Sequence, residues 1–216
     1  MVRKLPRDIH TLADHINEPL LPELAQQFLF EQLHPDADPA HAVHLPNING
    51  KISVFYSAVA TFYAPSNISG IRGMRRERIR STPSWRGKTA RRDCAFVVED
   101  QDSVGMKGLR VVRVRLFFSF EHAGSLYPCA LVEWFKKVGR SADADTGMWK
   151  VKPEFRGNER DISILHLDTF LRGAHLLPVF GTRSLPVDFH FSYSLDAFRT
   201  YFVNKYIDHH AHEITS

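Results

Sequence analysis

The chain has 216 residues, 44% of them hydrophobic and 12% aromatic, which is enough to bury one sizeable core and too apolar for a disordered chain. Its longest apolar runs, Leu176–Gly181 and Val111–Phe120, are short or broken by Arg, which excludes a membrane-spanning helix, and Met1–Pro6 lacks the apolar stretch of a signal peptide. Net charge is +4, yet the window Arg72–Arg92 alone carries +8, from Arg72, Arg75, Arg76, Arg78, Arg80, Arg86, Lys88, Arg91 and Arg92 against Glu77, so the remainder sums to −4.

Residues 8–34 read as a helix, because Leu21, Leu24, Ala25, Phe28, Leu29 and Leu33 recur at three- and four-residue intervals and Pro22 suits a first turn. Pro35 ends it, and the polar loop Asp36–Pro46 marks the expected boundary between a helical segment with linker (1–46) and a β-rich domain (47–216). From Lys51 the period changes to two, through Ile52, Val54, Tyr56, Ala58, Ala60 and Phe62, until Ala64–Ser66 stops it. The basic window 72–92, rich in Gly, Pro and Ser, reads as a long loop, of a length uncommon inside compact domains unless functional or disordered.

A short strand is expected at Cys94–Glu99, and the strongest β signal is Val111–Phe120, reversed at His122–Ser125 into a hairpin partner, Tyr127–Phe135. Met148–Val151, Ile162–Leu167 and Leu176–Phe180 complete about six strands, which suggests a small curled antiparallel sheet or barrel. Leu195, Phe198, Phe202 and Tyr206 predict a C-terminal helix with Ser194 as N-cap. The fold class expected is therefore α+β, mainly β, with a helix near each end.

Three constellations bear on function. Nine cations around Trp85 can neutralise phosphates and stack a base or sugar, and Arg outnumbers Lys there, which favours bidentate phosphate contacts; pairing with the surplus acids elsewhere in the chain is the competing use. His209, His210 and His212, with Asp208 and Glu213, carry metal-ligand chemistry but lack metalloprotease spacing, so they read first as polar residues of a mobile tail beyond the last helix, with zinc binding and a metal-dependent hydrolase as the alternative. Phe117, Trp134, Phe135 and Trp149 could cage a methylated lysine on the barrel surface, or be core. Cys94 and Cys129 are too few for a disulfide framework and read as reduced core residues of an intracellular protein, in which the sequon Asn67–Ser69 goes unused. Asp168 and Asp188, near His166 and His190, form no catalytic pattern, and neither a nucleophile elbow nor a phosphate loop is present.

Several runs in fixed order carry a resemblance. They are Tyr63–Arg80, continuing through Ser81 and Thr82 into Pro83–Gly87, then Tyr127–Trp134, Asp145–Trp149, Ile164–Asp168 and Tyr206–Glu213. Over residues 50–214 the chain closely resembles the C-terminal region of proteins encoded by Plavaka-type DNA transposons of mushroom-forming fungi, and Leu20–Pro35 resembles the segment that precedes it. The family resemblance implies a cut-and-paste transposase whose magnesium-binding catalytic domain lies upstream. None of that domain matches here, so no catalytic residue is carried over. The expectation is a non-catalytic, transposon-derived accessory domain without cofactor. It would contact nucleic acid through Arg72, Arg75, Arg76, Arg78, Arg80, Trp85, Arg86, Lys88, Arg91 and Arg92. DNA or chromatin, a transposase or another protein are the partners considered, with no membrane and a nuclear rather than cytoplasmic location. The alternative is a protein- or chromatin-interaction module that uses the barrel surface.

Overall fold

The structure, a computed structural model, describes residues 5–36, 44–66, 72–182 and 184–216. The sequon and most of the 36–46 loop lie outside them. Two helices, not the single one expected over 8–34, begin the fold. Asp8 accepts from the backbone N–H groups of His10 and Thr11 to start α1 (Ile9–Ile16), and Asn17, in the left-handed region at φ 54°, ends it. Then α2 (Leu21–Leu33) carries Pro22 in its first turn and stops before Pro35. Apolar spacing alone does not reveal the break, because Ile16 and Leu21 lie on either side of it and both pack inward.

The strands are β1 (Ser53–Phe55), β2 (Ser57–Tyr63), β3 (Met74–Thr82), β4 (Arg91–Arg92), β5 (Cys94–Val98), β6 (Leu109–His122), β7 (Ser125–Val138), β8 (Lys150–Pro153), β9 (Phe155–Arg156), β10 (Glu159–Arg160), β11 (Ile162–His166), β12 (Phe170–Ala174), β13 (Leu176–Pro178) and β14 (Tyr201–Val203). The main antiparallel sheet runs β12-β5-β6-β7-β8-β14-β13, with β1 also paired to β6 and β11 to β7. It curls into a nearly closed, barrel-like body, so the protein is mainly β with helices towards both ends. Its spine is the β6–β7 hairpin, where His122 pairs with Ser125 across Ala123 (φ 50°) and Gly124 (φ 81°), the two left-handed residues of a type I′ turn.

Three apolar cores cover the spine. Helices α1 and α2 pack on Ile52, Val54, Phe118, Phe120 and Leu131. Phe96, Val111, Phe135, Trp149 and Tyr201 make the second, and Ile79, Val112, Val114, Phe117 and Val132 the third, beneath the β2–β3 hairpin.

Three further expectations fail for physical reasons. The basic window is not a loop: β3 pairs with β2 from Tyr63↔Met74 to Ser57↔Arg80, and β4 returns against Ser81 and Thr82. Arg and Glu fill both faces of much of β3, so no apolar period announces it; strand pairing and the burial of Ile79 create it. The helix expected after Ser194 is one turn, α3 (Ser194–Ala197), after which Tyr201 and Val203 alternate into the second core as β14. Pairing with β8 and β13 outweighs the helical spacing there. The terminal residues are no mobile tail. They form α4 (His209–Thr215), N-capped by Asp208, with His210, Ala211 and Thr215 buried.

Candidate nucleic-acid interface

Two reversals bound the basic segment. At one end of β3, Gly73 (φ 76°) accepts from the N–H of Ala64 at 2.6 Å and closes the reversal from β2. At the other end, Trp85 to Lys88 form a β-turn in which the Lys88 N–H donates to the Trp85 carbonyl at 3.0 Å, with Arg86 (φ 53°) and Gly87 (φ 72°) both left-handed. Trp85 also donates its N–H to Thr89 (3.0 Å), and the Ser84 hydroxyl donates to the Lys88 carbonyl (3.1 Å). The Trp85 tip is thus held by backbone bonds on both sides.

Along β3 the side chains alternate. Glu77 and Ile79 turn towards the body, and Arg76, Arg78 and Arg80 share the opposite parity. Glu77, the one acid in the window, accepts from the N–H of Gly173 at 3.1 Å and approaches Arg172 Nε at 3.5 Å. It thereby covers an edge N–H of β12, the outermost strand of the main sheet, and clamps the basic hairpin across it. An added Cβ at position 173 would meet the Glu77 carboxylate at 2.8 Å, so a larger residue there would push that carboxylate off the Gly173 N–H.

This docking makes a groove of about 580 Å³ between β3, β4 and β12, lined by Arg76, Arg78, Arg80, Arg91, Arg92 and Arg172, with Glu77 and Asp93 as its acids. A second slot of about 480 Å³ adjoins it, bounded by Trp85, Arg86, Lys88, Ala90, Phe191 and Leu195. The two share Arg91, Arg92, Ser194 and Leu195 and so form one continuous surface. Of the ten residues expected to touch nucleic acid, eight line it; Arg72 and Arg75 lie towards the far end of β3 and line neither part.

Charge compensation is sparse. Arg91 pairs with Asp93 (2.7 Å), Arg78 donates to the Ser57 hydroxyl (2.9 Å), and Arg80 donates to the Arg78 carbonyl (3.3 Å). Arg80, Arg91 and Arg86 also stack against Trp85, at 4.8, 4.9 and 5.6 Å from the ring centre. Arg92, at the junction, has no side-chain hydrogen bond or ion pair among the described residues. Partial burial, then the neighbouring Arg115 and Arg113, push its guanidinium down to about 10. A half-buried arginine crowded by other arginines is a place where a bound anion is stabilising.

The other constellations take structural roles. His210 turns inward, stacks on Phe62 (4.7 Å between ring centres) and lies 3.2 Å from Arg172; burial, then Arg172, lowers its pKa. Arg172 itself forms a bidentate pair with Asp208, at 2.8 and 2.6 Å. His209 and His212 remain exposed, and among the described residues no group of His, Cys, Asp or Glu converges as a metal site. Phe135 and Trp149 are buried in the second core and Phe117 in the third, while Trp134 donates to Ser163 (2.7 Å) and is covered by Arg110 at 4.0 Å, so the four form no exposed cage. Both cysteines are free and buried, and burial raises their pKa values, that of Cys94 to about 12. Asp168, with its side chain 90% exposed, lies 3.4 Å from His166.

Sequence reasoning missed Arg113, Arg172, Phe191 and Leu195, which join the surface from strands and turns far along the chain. No local pattern marks them; only the docking of β3 and β4 against β12 and α3 brings them to the window. Comparison with protein-family models, with curated proteins and with solved structures finds no match.

Proposed function

We propose that the protein is a non-catalytic, transposon-derived module that contacts nucleic acid through the continuous surface of Arg76, Arg78, Arg80, Arg86, Lys88, Arg91 and Arg92. One observation carries the reading. These seven cations line a shared groove, and of the seven only Arg91 has a carboxylate within ion-pair distance among the described residues, on Asp93, whereas Arg172 and Arg113, which line the same surface from β12 and β6, are both met by acids. Arginines recruited for stability are usually met by acids; arginines for phosphate are left to meet their ligand. The resemblance to the C-terminal region of Plavaka-type transposon proteins supports the same reading, and on it the protein works in the nucleus. Affinity comes from the phosphate backbone, so sequence selectivity is weak.

The test is fluorescence anisotropy with a labelled oligonucleotide across a salt series. Binding falls steeply from 50 to 200 mM salt, and Arg76→Ala/Arg78→Ala/Arg80→Ala together weaken it about tenfold or more and flatten the salt slope. Circular dichroism of that variant stays unchanged, because none of the three guanidiniums has a carboxylate partner among the described residues. Absent or salt-independent binding overturns the proposal.

A further inference from the structure

The two halves of the surface differ in chemistry. The groove along β3 is walled by guanidiniums, as suits a phosphate backbone. The adjoining slot is walled by Trp85, Ala90, Phe191 and Leu195, with Arg86, Lys88, Arg91 and Arg92 around them. Apolar walls with a cationic rim suit a flat ring that carries a phosphate, and the volume of about 480 Å³ is that of a small-ligand site. Phe191 lines the slot with 68% of its surface exposed, its ring tilted against His190 at 4.2 Å between centres, and so offers an apolar surface to a ligand. Lining the same slot from the β3–β4 turn, the Trp85 indole carries guanidiniums of Arg80, Arg91 and Arg86 within 4.8–5.6 Å of its centre. A guanidinium stacked on indole is itself a flat cationic platform for a base. A paired base cannot enter such a slot, because its partner would have to follow.

We propose that this slot takes one unpaired base, with the flanking phosphates on Arg91 and Arg92, so that the surface prefers single-stranded to duplex nucleic acid. The inference rests on the proposed nucleic-acid contact and adds its substrate class. Backbone and base are read by different walls: β3 tracks the phosphates, and the gap between Trp85 and Phe191 takes the ring.

The full chain is tested by anisotropy against three labelled 12-mers at one salt concentration: oligothymidine, a duplex of the same length, and an abasic strand that keeps every phosphate. Oligothymidine is expected to bind about tenfold tighter than either of the others, as loss of a base–aromatic stack implies. Phe191→Ala, a change at an exposed ring, reduces that preference to about threefold or less while leaving the salt slope intact; Trp85→Ala does the same if its turn still folds. A mononucleotide that binds as tightly as oligothymidine shows a nucleotide pocket without a strand and overturns the single-strand assignment. Equal binding of all three 12-mers also overturns it while leaving the phosphate contact standing. No salt-dependent binding to any of them removes both.

Discussion

Arginine is concentrated at two places in this protein, and they behave oppositely. On β6, β7 and β10, Arg115, Arg160 and Arg113 converge on Glu133, at 2.6, 3.2 and 3.6 Å; Glu133 is 4% exposed, and Arg113, which also reaches the slot, has Asp196 at 2.6 Å as a second acid. Along β3 and β4, Arg76, Arg78, Arg80 and Arg92 have no carboxylate within ion-pair reach among the described residues. Both clusters come from the same residue type in similar density. Geometry separates a structural arginine from one available to a ligand: whether the fold delivers an acid to it. Even the compensated cluster is imperfect, since Arg113 and Arg160 each keep a buried Nε–H without a partner.

Substitution can break that comparison. Glu133→Gln should have the largest effect, because it leaves three half-buried guanidiniums around a neutral group; Arg113 keeps Asp196 and Arg115 keeps Glu18 at 3.9 Å, so a loss of about 3 kcal/mol in urea unfolding is expected. A loss below about 1 kcal/mol would mean that solvent already screens the cluster. Asp208→Asn is intermediate: Arg172 loses its bidentate partner but keeps Glu77 at 3.5 Å, and Asn still caps α4, so about 1–3 kcal/mol should be lost in the same measurement. Arg92→Met should go the other way. It removes repulsion from Arg113 and Arg115 while keeping an apolar stem, so unfolding stability rises by roughly 1 kcal/mol as oligonucleotide binding weakens. A destabilised Arg92→Met protein would place Arg92 with the structural arginines.

The smallest effect is pH-dependent. His210 faces Arg172, Asp208 and Glu213, and its lowered pKa means the folded state holds it neutral while the unfolded chain protonates near the ordinary 6.5. Stability from this group is therefore complete above 6.5 and declines as pH falls through the lowered folded value. His210→Phe, which keeps the stack on Phe62, should flatten the decline in thermal midpoint from pH 7 to 5. Asp208 adds a separate loss at lower pH: its hydrogen bond from Arg172 holds it at about 2, so its contribution is present above 3.8 and fades as pH falls through about 2. An unchanged decline in His210→Phe would show that other groups set the acid limb.

Much of this was legible in advance, and the division follows a physical line. Val111–Phe120 and Tyr127–Phe135 were readable as a hairpin because alternation and the turn between them are local signals, and β6 and β7 follow them closely. The basic segment was readable as charge, and its Gly87 sits where a left-handed turn residue is needed. Its conformation was not: strand β3 depends on hydrogen bonds from β2 and on Glu77 reaching Gly173, contacts that no window of sequence contains. In the same way, His210 read as a polar residue of the tail, with metal binding as the alternative, and only α4 turned it against Phe62.

The sequence by itself determined that one stretch of the chain would hold a surplus of positive charge, because charge is counted residue by residue. Only the tertiary structure decided what that surplus faces. It folded the stretch into a hairpin, spent Glu77 on the edge of β12, and brought Phe191 and Leu195 to the slot that Trp85 lines. Compensation and enclosure are properties of distances across the fold, and those exist only once distant segments have packed.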